Sequence, residues 1–244
     1  MGNDKADFSI LNRLNFKISP IGIKYFPKPP ESLNRLEGKI ALCEMLKRAQ
    51  EGEAFYADVE NQACGAGAYV LGQKDIHPRC HNGEYGAALK IFDSPRSGAR
   101  LYHYIPTVAR GIINSVAFAP LDKMEYDPDI LLCIADTDQT EILLRAMSYR
   151  TGKMWSSKSS PAIGCAWIFV YPYLSGELNY GITGLGHGMK RRNLFPKGNQ
   201  IIAIPFDQLH LILQSLKEMQ WVLPAYQSDG FDFVSKVISE LGIE

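Results

Sequence analysis

The sequence lacks an excess of either charge, a long apolar run and any complete catalytic signature. Lys+Arg and Asp+Glu both number 26, so the net charge is zero. That balance argues against a general nucleic-acid binder, which needs a basic surface against phosphates. The one compact basic run, Lys190-Arg191-Arg192, reads as a solvated turn, with a local anion patch left open. No stretch approaches the ~18 apolar residues that a membrane helix needs, so no membrane partner is expected. Met1 to Asp7 is polar and lacks an apolar signal core. A cytoplasmic protein is expected from these two absences.

Zinc-knuckle and ferredoxin patterns are missing, because no C-x-x-C pair occurs. G-x-S-x-G, H-E-x-x-H, the P-loop and G-x-G-x-x-G are missing too. Hydrolase chemistry therefore has no positive support, the signal for a phosphate cradled by Gly184–Gly188 is weak, and no catalytic residue is assigned. Asp58 and Glu60 read as solvated loop carboxylates with no nucleophile beside them.

What is present is an ordinary globular composition, 46% apolar and 21% charged, in 244 residues. Phe8–Leu14 reads as a short helix, and Pro20–Phe26 as a strand closed by Pro27. Ala41–Glu51 has helical spacing with Gly52 as its stop, and Ala54–Ala57 is strand-like. Ala68–Leu71 fits either a strand or the first turn of a helix. Gln73–Arg100 reads as loops with one or two helices, one of them over Tyr85–Phe92. Asp129–Ala135 is an apolar run typical of a buried strand, and Asp136 then supplies an N-cap for a helix over Gln139–Tyr149. Trp167–Tyr171 and Ile201–Ile204 read as strands ended by proline, and Phe206–Met219 as the clearest amphipathic helix.

Gly52 and Gly152 stand one hundred positions apart, as do Leu42 and Ile142. The expected fold is accordingly α/β, with α+β open. It comprises two similar units, 1–119 and 120–244, related by internal duplication and joined in one globule. A single domain over the same span is the alternative.

Five cysteines are expected as thiols or ligands in a reducing compartment. Cys43 sits near a helix start, where a thiolate is favoured. Cys64 precedes Gly65-Ala66-Gly67, a backbone that a bulky group can approach closely. Cys165 follows another small-residue turn. Iron–sulfur clusters need several thiolates at one point, so Cys43, Cys64 and Cys165 are the candidate metal ligands. Gly65, Gly67, Gly184, Gly186 and His187 are candidates to border a cofactor, the last three within the glycine-rich stretch Gly181–Gly188. Cys80 and His81 lie in His77-Pro78-Arg79-Cys80-His81, a cluster of metal-capable side chains. Whether Cys80, His81 and His187 act as ligands stays open. Cys133 reads as core.

Pro20-Ile21-Gly22-Ile23-Lys24, Cys43-Glu44, Ala49-Gln50-Glu51-Gly52 and Glu60-Asn61 through Ala68 together resemble a known family. So do Pro128–Leu131, Cys165 and Ile204-Pro205. This is the uncharacterised domain of unknown function one-six-nine, found in archaea and anaerobic bacteria. The resemblance spans nearly the whole chain and implies no established reaction. Members of that family often carry a further cysteine in the glycine-rich stretch, where this chain has Gly184-Leu185-Gly186-His187. The departure leaves Cys43, Cys64 and Cys165 as the set the resemblance supports.

The expectation is a protein that binds a metal or redox cofactor, an iron–sulfur cluster first. Haem or another tetrapyrrole is one alternative; a metal-free module for a small molecule, with structural cysteines, is the other. A small-molecule cofactor or substrate is the expected partner, and homo-oligomer formation is left open.

Overall fold

The computed structural model describes residues 7–182 and 186–243. Six strands form one antiparallel sheet: β1 (Ile21–Phe26), β2 (Phe55–Asp58), β3 (Ser115–Pro120), β4 (Ile130–Ala135), β5 (Asn179–Ile182) and β6 (Gln200–Pro205). The order is β2-β3-β1-β4-β6-β5. Ten α-helices accompany it among the described residues. These are α1 (Leu42–Gln50), α2 (Gly65–Val70), α3 (Pro78–His81), α4 (Glu84–Ala88), α5 (Pro95–Leu101), α6 (Thr137–Tyr149), α7 (Tyr171–Ser175), α8 (His187–Arg192), α9 (Phe206–Glu218) and α10 (Gly230–Leu241).

β4 shows how the sheet separates two cores. Its side chains alternate, because successive residues of a strand point to opposite faces. Ile130, Leu132 and Ile134 join Ile21, Ile23, Phe118 and α1 on the first face. Leu131, Cys133 and Ala135 join Ile202, Ile204, α6 and α9 on the second. Cys133 is a core residue, as its strand position implies. The helices end as their sequences require: Gly52 and Gly152 adopt left-handed φ values of 101° and 64°. The Asp136 carboxylate accepts from the Gln139 amide at 2.9 Å, and the Asp136 amide donates to Gln139 Oε1.

Strand order is symmetric about the β1–β4 seam: β1, β3, β2 run outward on one side and β4, β6, β5 on the other. The helices do not follow it. A two-fold axis relating antiparallel β1 and β4 stands normal to the sheet, so it would keep equivalent helices on one face. α1 packs on the first face and α6 on the second. The segments Leu42–Gly52 and Ile142–Gly152 therefore lie in opposite layers of a single globule.

One local expectation is corrected. Trp167–Tyr171 is not a strand: Ala166–Val170 forms a π-helical turn that runs into α7. All five of its residues are buried, and a short, wholly apolar run has no periodicity to separate strand from buried helix. Ala68–Leu71 resolves as the end of α2.

Candidate functional site

Three lead-in segments converge above the first face of the sheet. The Ile40 amide donates to the Asn61 carbonyl and the Ala63 amide to the Ile40 carbonyl, each at 3.0 Å. These bonds zip the approach to α1 against the approach to α2. Cys43, in the first turn of α1, and Cys64, the N-cap of α2, are thereby brought to one place. Cys165 arrives from the turn before the π-helix. That turn holds Ile163 at φ 55°, a left-handed conformation that costs a β-branched residue about 1–3 kcal/mol. Strain of this kind clusters at functional sites, as do π-helical turns.

The three cysteines line one cavity of about 400 Å³. The volume lies within the range of pockets that take small organic ligands. One wall is the body of the protein: the starts of α1 and α2, the Ala162–Cys165 turn and α8. The other is a cap built from α3, α4 and α5. The cap holds together through glycines. A Cβ on Gly83 would stand 1.9 Å from the Pro95 carbonyl oxygen, and one on Gly98 would stand 2.8 Å from the Gly83 oxygen. Tyr102 closes the junction, its ring 5.3 Å from His81 and 6.2 Å from Tyr69. Cys80 and His77 line the cavity from the cap, whereas His81 does not.

The glycines expected near a cofactor have different places. Gly65 lines the cavity, and a Cβ there would meet nothing within 4 Å. Gly67 is buried, and a Cβ there would stand 2.9 Å from the Leu42 Cβ. It lets α2 cross α1 and does not line the cavity. Gly186 rests on the backbone of Gly164 and borders a smaller crevice of about 30 Å³. Gly184 lies outside the described residues. His187 and Gly188 line the main cavity at the start of α8, where the His187 amide donates to the Pro161 carbonyl at 2.9 Å.

Burial governs the thiols. It pushes the Cys43 thiol up to about 11, with Arg192 acting in the opposite sense and Cys64 adding to the rise. Cys165 is also pushed up, by burial first and then by Cys64 and Cys43. Cys43 and Cys165 are therefore neutral thiols at pH 7, the reverse of the thiolate expected for Cys43 at a helix start; loss of solvent outweighs the helix dipole there. Among the described residues, no group of three or more His, Cys, Asp or Glu side chains is arranged to hold a metal ion. Cys43, Cys64 and Cys165 line the same cavity but are not such a group as placed.

The cavity's charge comes from the basic run that the sequence offers as a solvated turn or a local anion patch. Arg191 and Arg192 line it from α8, together with His77 and His187, and among the described residues no Asp or Glu does. Arg192 is fixed by two contacts: its Nε lies 3.3 Å from Glu44 Oε2, and its Nη1 donates to the Gly188 carbonyl at 3.1 Å. Glu44 is itself held by the Ala41 amide at 2.7 Å.

No helix among the described residues is long and apolar enough to cross a membrane. An uncharacterized protein of Methanocaldococcus jannaschii is 25% identical over 198 residues, covering 79% of this chain and 83% of that protein. No solved structure matches. The profile of the family DUF169, described as uncharacterised ArCR, matches residues 9–215, which take in all the body-side elements of the cavity and its cap; the chain belongs to that family.

Proposed function

We propose that this protein binds a small, largely apolar organic molecule between its cap and its body. The observation that carries the proposal is the cavity of about 400 Å³ with Gly65 opening into it. Gly65 has an ordinary φ and no neighbour that a side chain would strike. Glycine in a helix costs roughly 1 kcal/mol relative to alanine, and a ligand against Gly65 supplies the reason for it. Neutral Cys43 and Cys165 then act as soft, polarizable wall. A cytoplasmic location belongs to the same reading and suits five free cysteines.

The test is Gly65→Phe, whose Cβ meets no atom within 4 Å and whose ring would occupy the cavity. Native mass spectrometry of gently purified protein should show a co-purifying organic mass that this variant loses while its thermal melt is unchanged. An equal load in wild type and a folded variant would sink the proposal.

A second reading has one specific observation behind it: Cys43, Cys64 and Cys165 line the same cavity. An iron–sulfur cluster would draw on several of these cysteines as thiolates, and a tetrapyrrole on His187 or one cysteine as axial ligand. Anaerobic purification followed by a visible spectrum and metal analysis decides it. A coloured protein with stoichiometric iron that the triple Cys→Ser variant loses would favour this reading over the first.

A further inference from the structure

We infer that the ligand of this cavity is an organic anion, an apolar body carrying a carboxylate, phosphate or sulfonate head that Arg191 and Arg192 receive. The inference rests on the binding reading above and adds the chemical class. It begins from the sign of the charge. The chain has as many acidic as basic residues, yet among the described residues the cavity is lined by Arg191, Arg192, His77 and His187 and by no carboxylate. The rest of the lining is apolar, small, aromatic or thiol.

The two arginines have different parts. Arg192 is held rigid by Glu44 and by the Gly188 carbonyl, and its side chain is only 19% exposed. Glu44 balances its charge, so Arg192 offers a fixed donor fork at little net charge. Arg191 forms no ion pair among the described residues and supplies the uncompensated positive charge at the same wall. An anion there would gain charge-assisted hydrogen bonds. Arg191 is exposed, so a neutral apolar ligand would leave it solvated and gain nothing from it. The apolar part of the ligand would lie toward Gly65, Cys64 and Cys165, where no charge stands.

Two fluorescent probes that share an aromatic body separate the outcomes. 8-Anilinonaphthalene-1-sulfonate carries an anion; N-phenyl-1-naphthylamine does not. The sulfonate should bind the full chain more tightly by about tenfold or more, the worth of one charge-assisted hydrogen bond. Arg191→Ala should remove that advantage, Arg191→Lys should restore part of it, and the amine should be indifferent to both. Gly65→Phe should abolish the cavity-bound signal of both probes, which separates it from binding elsewhere. Octanoate or octyl phosphate should displace the sulfonate, and octanol should not. Equal binding of the two probes in wild type, unmoved by Arg191→Ala but lost in Gly65→Phe, would overturn the anion and leave the cavity. Signals that survive Gly65→Phe in a folded protein would overturn both. Circular dichroism of each variant confirms that it is folded before it is compared.

Discussion

Gly65 and Gly67 stand two positions apart in α2 and do opposite things. A Cβ at Gly65 would point into the cavity, whereas one at Gly67 would meet the Leu42 Cβ at 2.9 Å. Gly65→Ala should therefore leave stability unchanged or raise it by up to about 1 kcal/mol. Gly67→Ala should lower it by about 1–3 kcal/mol, as overpacking does. Urea melts of the pair check this, and equal effects would refute the assignment. The thiols give a pH prediction with a definite sign. Burial lifts Cys43 from 9.0 to about 11, so the folded state holds that proton more tightly than the unfolded chain. The stability it contributes is complete below pH 9 and is lost as pH rises through about 11. Iodoacetamide should accordingly label Cys43 slowly at pH 8 in the native protein and rapidly in urea; equal rates would show a thiolate. The sequence marks the cysteines through their small-residue turns. It offers Lys190-Arg191-Arg192 as a solvated turn or an anion patch, and only the fold turns Arg191 and Arg192 of that run toward a cavity.

At the level of elements, what could be read depended on periodicity and caps. β1, β4 and β6 carry apolar runs ended by proline or a capping residue, and α1, α6 and α9 carry helical spacing with defined ends. β3 has no polar–apolar alternation to mark it, because Ser115-Val116-Ala117-Phe118-Ala119-Pro120 is buried on both faces. The cap reads in sequence as loops with one or two helices. Its three short helices are fixed by backbone contact at Gly83 and Gly98, a tertiary matter with no local pattern. α10 is an amphipathic helix with little to pack on. Phe231 is 91% exposed and Leu241 67%, and Gly230 alone is buried. Its lead-in ends at Trp221, whose Nε1 donates to the Leu216 carbonyl and over which Arg13 stacks at 4.5 Å. Removal of residues 224–244 should thus leave the thermal midpoint within a few degrees of the full chain, since little apolar area is lost. A large fall in a calorimetric scan would mean that α10 packs on the body.

For the whole molecule the question is whether 1–119 and 120–244 are separable units. The strand order favours two halves, because the sheet reads outward symmetrically from β1 and β4. The seam itself is short: Ile21, Gly22 and Ile23 pair with Leu132, Leu131 and Ile130. The cores argue the other way. The first face is built from Ile21, Ile23, Phe118 and α1 of the first half together with Ile130, Leu132, Ile134, Phe169 and Ile201 of the second. Phe118 and Phe169 are fully buried and meet edge to face at 6.2 Å. Cutting the chain between β3 and β4 would bare this surface on both fragments. At ~25 cal/mol per Å² of apolar area, even a few hundred Å² exposes several kcal/mol, which is comparable to the whole stability of a domain. The cavity would be divided as well, since Cys165 and α8 come from the second half and Cys43, Cys64 and the cap from the first. Fragments 1–123 and 124–244, expressed separately, should therefore give poorly dispersed amide NMR spectra and no cooperative melt. Mixed in equal amounts they should recover dispersion, because the missing surfaces are each other's. If the first fragment alone melts cooperatively near the temperature of the full chain, the halves are independent domains and the shared core is only an interface.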